Sequence, residues 1–118
     1  MQPRVTDVER LKKQVRRMAA GRVLAGGGAE AYLDLGQMDG CRVCIAAGYG
    51  PLSPTPQSVP HERLLWILDG FVDVLTTDGQ ETHVSQGEST VLAAGVGYRL
   101  IFPALTIYLL VEGPEGDR

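Results

Sequence analysis

Leu64-Leu65-Trp66-Ile67-Leu68 is a run of five apolar residues, and Asp69-Gly70 follows it at once. A run this short does not make a typical helix, whereas a buried strand needs no more. Val72 and Val74 then recur at the two-residue period of a strand. The pattern predicts one buried strand, a tight turn at Asp69-Gly70, and a second strand returning against the first. The chain around it repeats the theme. Thr77-Asp78-Gly79-Gln80 is a second hairpin signal, and Thr82 and Val84 alternate with Glu81, His83 and Ser85. Gln86-Gly87-Glu88 turns the chain into 89–93, and Ala94-Gly95-Val96-Gly97 turns it into 98–102. A last strand over 105–112 places Leu105, Ile107, Leu109 and Val111 on one face.

Upstream, Ala31, Leu33 and Leu35 alternate with Tyr32 and Asp34 up to Gly36, and Met38-Asp39-Gly40 turns into a strand over 41–47. Pro51, Pro54, Pro56 and Pro60 then exclude a helix and suit only a loop or an irregular edge. Short strands at regular spacing, joined by glycine turns, predict an all-β sandwich or barrel.

One helix precedes the strands. Thr6-Asp7-Val8-Glu9 reads as a capping box, in which Thr6 takes a free amide and Glu9 reaches back. Val8, Leu11, Val15 and Met18 follow at helical spacing among Arg10, Lys12, Lys13, Arg16 and Arg17, and Gly21 is the stop. Residues 1–22 carry seven basic and two acidic side chains, against four and twelve in the remainder, for a net charge of −3. The basic cluster is the solvent face of an amphipathic helix, and no aromatic residues interleave with it for base stacking, so no nucleic-acid partner is expected.

No apolar run approaches the length of a membrane span and no signal-peptide pattern opens the chain, so a cytoplasmic protein without a membrane partner is expected. Gly26-Gly27-Gly28 is a connector, not a phosphate loop, because no lysine–serine pair follows it. Cys41 and Cys44 are three apart on a strand, so they face opposite ways and neither close on each other nor chelate. The expected organisation is a helix and connector over 1–28, a β domain over 29–112 and a polar tail over 113–118.

The glycine turns also resemble the two motifs of the cupin superfamily. The first, G-x5-H-x-H-x3–4-E-x6-G, closes on Gly70; the second, G-x5-P-x-G-x2-H-x3-N, is matched by Gly87 and Gly95, with sixteen residues between Gly70 and Gly87. The resemblance covers about residues 30–112 and implies a jelly-roll β-barrel with one N-terminal amphipathic helix. The family's metal ligands do not carry over. The two histidine positions hold Gln57 and Val59, the glutamate position holds Arg63, and the second-motif histidine is Tyr98. A divalent ion needs several converging nitrogen or oxygen ligands, and an inward arginine would repel it, so no metal and no cofactor are expected.

The same resemblance points Gln57, Val59, Arg63 and Tyr98 into the mouth of the barrel, above an apolar lining of Leu65, Ile67, Leu100 and Phe102. Arginine stays charged and presents a planar fork suited to a carboxylate or phosphate. Two roles remain open for Arg63: anchor of an anionic ligand, or structural cation paired with an internal carboxylate. The ligand-binding set expected is Gln57, Val59, Arg63, Tyr98 and Phe102. Tyr98 and His61 are the weak acid/base candidates of an alternative, a metal-independent lyase or isomerase. A second alternative is a non-standard metal site of His61, Glu62 and His83, reached by a one-residue register slip. Finally, the apolar faces of the helix and of strand 30–35 are surfaces on which a second copy would sit, so a homodimer is expected.

Overall fold

The structure, a computed structural model, describes residues 7–21, 28–51 and 60–113. One helix, α1 (Val8–Ala20), precedes seven strands: β1 (Ala29–Met38), β2 (Cys41–Pro51), β3 (Arg63–Asp69), β4 (Phe71–Thr76), β5 (Glu81–Ser85), β6 (Ser89–Leu92) and β7 (Tyr98–Glu112). All pairings are antiparallel, in the order β1-β2-β7-β3-β6, with β4 on β7 and β5 on β4. As described, the sheet is not closed into a barrel: β1, β5 and β6 each pair on one side only.

The central feature differs from the expected hairpin. β3 and β4 do not pair with each other; both pair with β7, β3 against Ile107–Glu112 and β4 against Tyr98–Ile101. The chain therefore bends at Gly70 instead of reversing there. Gly70 has φ of +102°, and a Cβ on it would stand 2.5 Å from the Thr106 hydroxyl oxygen. Thr106 is buried and holds the bend: its hydroxyl accepts from the Phe71 amide at 3.2 Å and lies 3.0 Å from the Phe71 carbonyl. A side chain at position 70 would be strained and would collide with that bond network. Tyr98–Phe102 and Leu105–Glu112, expected as two strands, are likewise one long bent strand. β2 accompanies it around the bend, with its register shifting between Gly48 and Gly50.

Folding the sheet over on itself makes the inner core. Ala46, Leu65, Ile67, Tyr108 and Leu110 from one half meet Val72, Val74, Val84, Tyr98 and Phe102 from the other. Strand alternation sends the intervening residues outward, where Ile45, Ala47 and Ile107 form a second cluster with Val15 and Ala19 of α1. Leu11, Met18, Leu33, Leu35, Leu105 and Leu109 pack around it. The apolar faces of the helix and of β1, read above as surfaces for a second copy, thus cover each other. Each aliphatic side chain buried there contributes about 1.5–3 kcal/mol.

The helix is capped by Asp7, whose carboxylate accepts from the Arg10 amide at 3.2 Å; Thr6 lies outside the described residues. With Asp7 as cap, Glu9 is not at the capping-box position, and it pairs with Lys12 at 3.3 Å. Val8, at the first helical position, is exposed, and Ala19 takes a buried place that the spacing did not suggest. Lys12 also reaches Asp69 at the end of β3, 2.8 Å away, with Arg16 behind it at 3.5 Å. Asp39 and Gly40, both with positive φ, make the two-residue turn between β1 and β2. Among the described residues no helix is long and apolar enough to cross a membrane.

Candidate functional site

Each inward position of β2, β7 and β3 is aligned across the sheet with its neighbours. Ala46, Tyr108 and Ile67 form one row, and Cys44, Leu110 and Leu65 the next. The row after that is Arg42, Glu112 and Arg63, with Gln37 of β1 beyond Arg42. Moving along the strands toward the end of β7, the inner face therefore changes within two rows from packed aromatics and aliphatics to a line of charges. A backbone bond from the Gly113 amide to the Glu62 carbonyl, 2.9 Å, extends the β7–β3 pairing past this row and holds His61 beside it.

Glu112 is the hub. Arg63 Nε donates to its Oε2 at 2.8 Å, and Nη2 lies 2.8 Å from the same oxygen. His61 Nε2 is 2.9 Å from that oxygen too. Arg63 Nη1 donates to the Tyr98 hydroxyl at 2.9 Å, which ties the start of β7 to its end. The pair is partly shielded, with the Arg63 side chain 27% and that of Glu112 18% exposed. Burial works to raise the Glu112 carboxyl, but the His61 bond, the Arg63 charge and the Arg63 bond outweigh it and hold it below its ordinary 4.5. Glu112 is thus ionised at neutral pH, and Arg63 has the internal carboxylate that an inward guanidinium requires.

A cavity of about 370 Å³ opens on this row, lined by Tyr32, Arg42, Cys44, Arg63, Leu110 and Glu112. Tyr32 donates to Glu30 at 2.8 Å and bonds the buried Tyr108 behind it. Burial first, and then the Glu30 charge, push the Tyr32 phenol well up, so it stays protonated. Cys44 is raised by burial and by the charges of Asp34 and Glu112, which keeps its thiol protonated. Cys41 and Cys44 are both free.

Of the residues expected at the site, the fold brings Arg63, Tyr98 and His61 together. Phe102 is not in the cavity: it is fully buried, stacked on Tyr108 at 5.2 Å, with its ring over Gly48 where a Cβ would come within 2.7 Å. Leu65 and Ile67 are also closed inside the core. Gln57 and Val59 lie outside the described residues. Arg42, Glu112, Tyr32, Cys44 and Leu110 were not anticipated. Glu112 had a signal: if Leu105, Ile107, Leu109 and Val111 share one face, Tyr108, Leu110 and Glu112 share the other. Arg42 had none without the register of β2 on β7.

Arg63 and Tyr98 stand at two cupin ligand positions and are bonded to each other, and a guanidinium offers no lone pair to a cation. The alternative set does not assemble either. His83 is exposed and sits 2.7 Å from Asp73 on the outer side of the β4–β5 hairpin, whereas His61 faces Glu112. Among the described residues no three of His, Cys, Asp and Glu lie close enough to hold an ion.

No protein-family model matches the chain, and no curated protein does. Solved structures do match. A cupin-2 domain protein of Shewanella frigidimarina superposes with a TM-score of 0.64 over 70% of this chain and 79% of its own, at 13% identity. The fold is of the cupin type. The EutQ protein of Clostridium difficile gives 0.66 over 80% and 77% of the two chains, at 16% identity. A Ralstonia eutropha protein, whose name suggests a mannose-6-phosphate isomerase, gives 0.61 over 72% and 84%, at 12% identity. At such identities the cupin likeness speaks for the path of the chain, and the chemistry has to come from the residues.

Proposed function

We propose that this chain is a small metal-independent cupin, its strands rolled toward a jelly-roll barrel, that binds a small anionic molecule on its inner face. The observation that carries the reading is the composition of the cavity wall: two guanidinium groups against one carboxylate, over an otherwise apolar lining. Pockets of this kind combine a largely apolar surface with a few oriented polar groups. Arg63 forms a rigid side of the pocket, because Glu112 and the buried Tyr98 behind it both hold its guanidinium. A thermal-shift screen of carboxylates and phosphate esters against the wild-type protein tests the reading. Stabilisation that grows with ligand concentration is expected from at least one anion and not from its neutral analogue. No shift from any anion up to millimolar concentration would overturn it.

A second reading has one observation in its favour. His61 and Glu112 form a hydrogen-bonded pair beside the cavity, as an acid/base couple requires, and one fold neighbour carries an isomerase name. On that reading His61 moves a proton on a bound phosphorylated sugar while Arg63 holds the charge. Incubation with mannose 6-phosphate should then yield the ketose isomer, and His61→Gln should abolish the conversion. Absence of turnover with a sugar phosphate that binds would leave the binding reading alone.

A further inference from the structure

The row Arg42–Glu112–Arg63 holds two cations and one anion on adjacent strands, with Glu112 directly opposite both arginines. Residues directly opposite in an antiparallel pair stand on the same face with their side chains in reach. Glu112 nevertheless pairs with one of them. All its bonds, from Arg63 Nε and Nη2 and with His61, converge on Oε2. Arg63 is committed further by Tyr98. Among the described residues Arg42 makes no ion pair, although it lines the same cavity. Its other cross-strand neighbour, Gln37, is neutral, and the nearby Asp34 uses one carboxylate oxygen on the Gly36 amide, 2.9 Å away. The cation expected from the sequence to meet a ligand is thus neutralised inside the protein, and among the described residues that line the cavity the available cation is Arg42 on β2.

We propose that Arg42 anchors a small monocarboxylate whose apolar body lies against Leu110, Cys44 and the Tyr32 ring. This rests on the reading of the cavity as an anion site and specifies it further. The row carries a net charge of one positive unit, which balances a monoanion and leaves the second charge of a phosphate monoester without a partner. A guanidinium presents two parallel N–H groups to a carboxylate, so orientation comes with the charge. Beyond the fork the wall is aliphatic, thiol and aromatic, with the Tyr32 hydroxyl already spent on Glu30 and Tyr108. A polar body would lose water there without replacement bonds, whereas a hydrocarbon body would not.

The test is a titration of the full chain, followed by calorimetry, with propionate, benzoate, benzamide and phenyl phosphate. Propionate or benzoate should saturate the wild type, benzamide should bind at least tenfold more weakly, and phenyl phosphate no more tightly than benzoate. Arg42→Gln should weaken the carboxylate by roughly 10- to 150-fold, the loss of a charged hydrogen-bonded pair. Arg42→Lys should recover part of that loss by restoring charge without the fork. Arg17→Gln, which removes an exposed charge on the helix, should stay within twofold of wild type. Arg42 is exposed, so its variants should melt with the wild type, and the lysine variant serves should the glutamine one misfold. If the wild type binds a carboxylate and Arg42→Gln binds it equally well, the anchor is wrong while the anion cavity stands. Phenyl phosphate binding more than tenfold tighter than benzoate would overturn the monocarboxylate class. If none of the charged probes binds the wild type, both the anchor and the cavity reading fail.

Discussion

The two faces of the β2–β7–β3 sheet are made of alternate residues on the same strands, yet they are finished in opposite ways. On the outer face Ile45, Ala47, Ile107 and Leu109 meet Leu11, Val15, Met18 and Ala19 of the helix in an apolar contact, with Lys12 and Arg16 pairing with Asp69 at its rim. On the inner face Ala46, Tyr108 and Leu110 begin as core, and the same strands end in Arg42, Glu112 and Arg63 around a cavity. A single shift of register would exchange the two faces. The difference teaches that the outer face is closed along its length by the helix, while the inner face is core as far as Leu110 and opens on the cavity beyond that last aliphatic row. Residue parity along the same strands thus separates the charged row from the residues that pack against the helix.

The largest effect should come from the outer face. Ile107→Ala removes a fully buried side chain from under the helix and should cost about 2–5 kcal/mol in urea denaturation. It should leave anion binding unchanged per folded molecule; a selective loss of binding would break the separation of the two faces.

Next in size is the inner ion pair. Arg63→Met leaves Glu112 partly buried with His61 as its one remaining bonded partner among the described residues, and should cost about 1–3 kcal/mol. Adding Glu112→Met should recover most of that, because the cost lies in the stranded carboxylate and not in the missing arginine. A double mutant no more stable than Arg63→Met alone would mean that the pair is not the coupled unit drawn here.

The fold was legible in the sequence wherever one residue decides a local geometry. Gly70, Gly79, Gly87 and Gly95 all take positive φ, which is why the turn pattern located the strands. What failed was the step from a turn signal to a partner. Asp69-Gly70 reads as a hairpin, but whether a chain reverses or merely bends at a glycine depends on Thr106, more than thirty residues away. The site followed the same division. Arg63 and Tyr98 were recognisable by their place in the glycine frame, and the need of an inward arginine for a carboxylate is general physics. That the carboxylate is Glu112, and that Arg42 is left over, depends on how β7 is aligned between β2 and β3. No local pattern encodes that alignment.

A smaller effect is pH-dependent. Glu112 has its carboxyl held below the ordinary value in the folded protein, so the pair contributes stability above the unfolded carboxyl's pKa and loses it as pH falls through the folded one. The stability difference between wild type and Glu112→Gln should accordingly be flat above about pH 5 and shrink progressively below about pH 4.5. A difference that stayed constant down to pH 3 would place Glu112 outside the ion pair.

The smallest effect belongs to the charged rim of the outer face. Asp69→Asn loses the contacts to Lys12 and Arg16 and should cost about 0.2–1 kcal/mol, diminishing with added salt. A larger, salt-independent loss would show that the helix is held by charge and not by its apolar stripe.

The central claim is that one face of the sheet is closed and the other receives an anion. Backbone amide shifts of labelled protein, recorded during a benzoate titration, test it most directly. The account predicts saturable shifts concentrated at Arg42, Cys44, Arg63, Leu110 and Glu112, with Val15, Ala19, Ala47 and Ile107 unmoved. Saturable shifts centred on the helix and the outer residues of β2 and β7, with the Arg42–Glu112–Arg63 row silent, would contradict it.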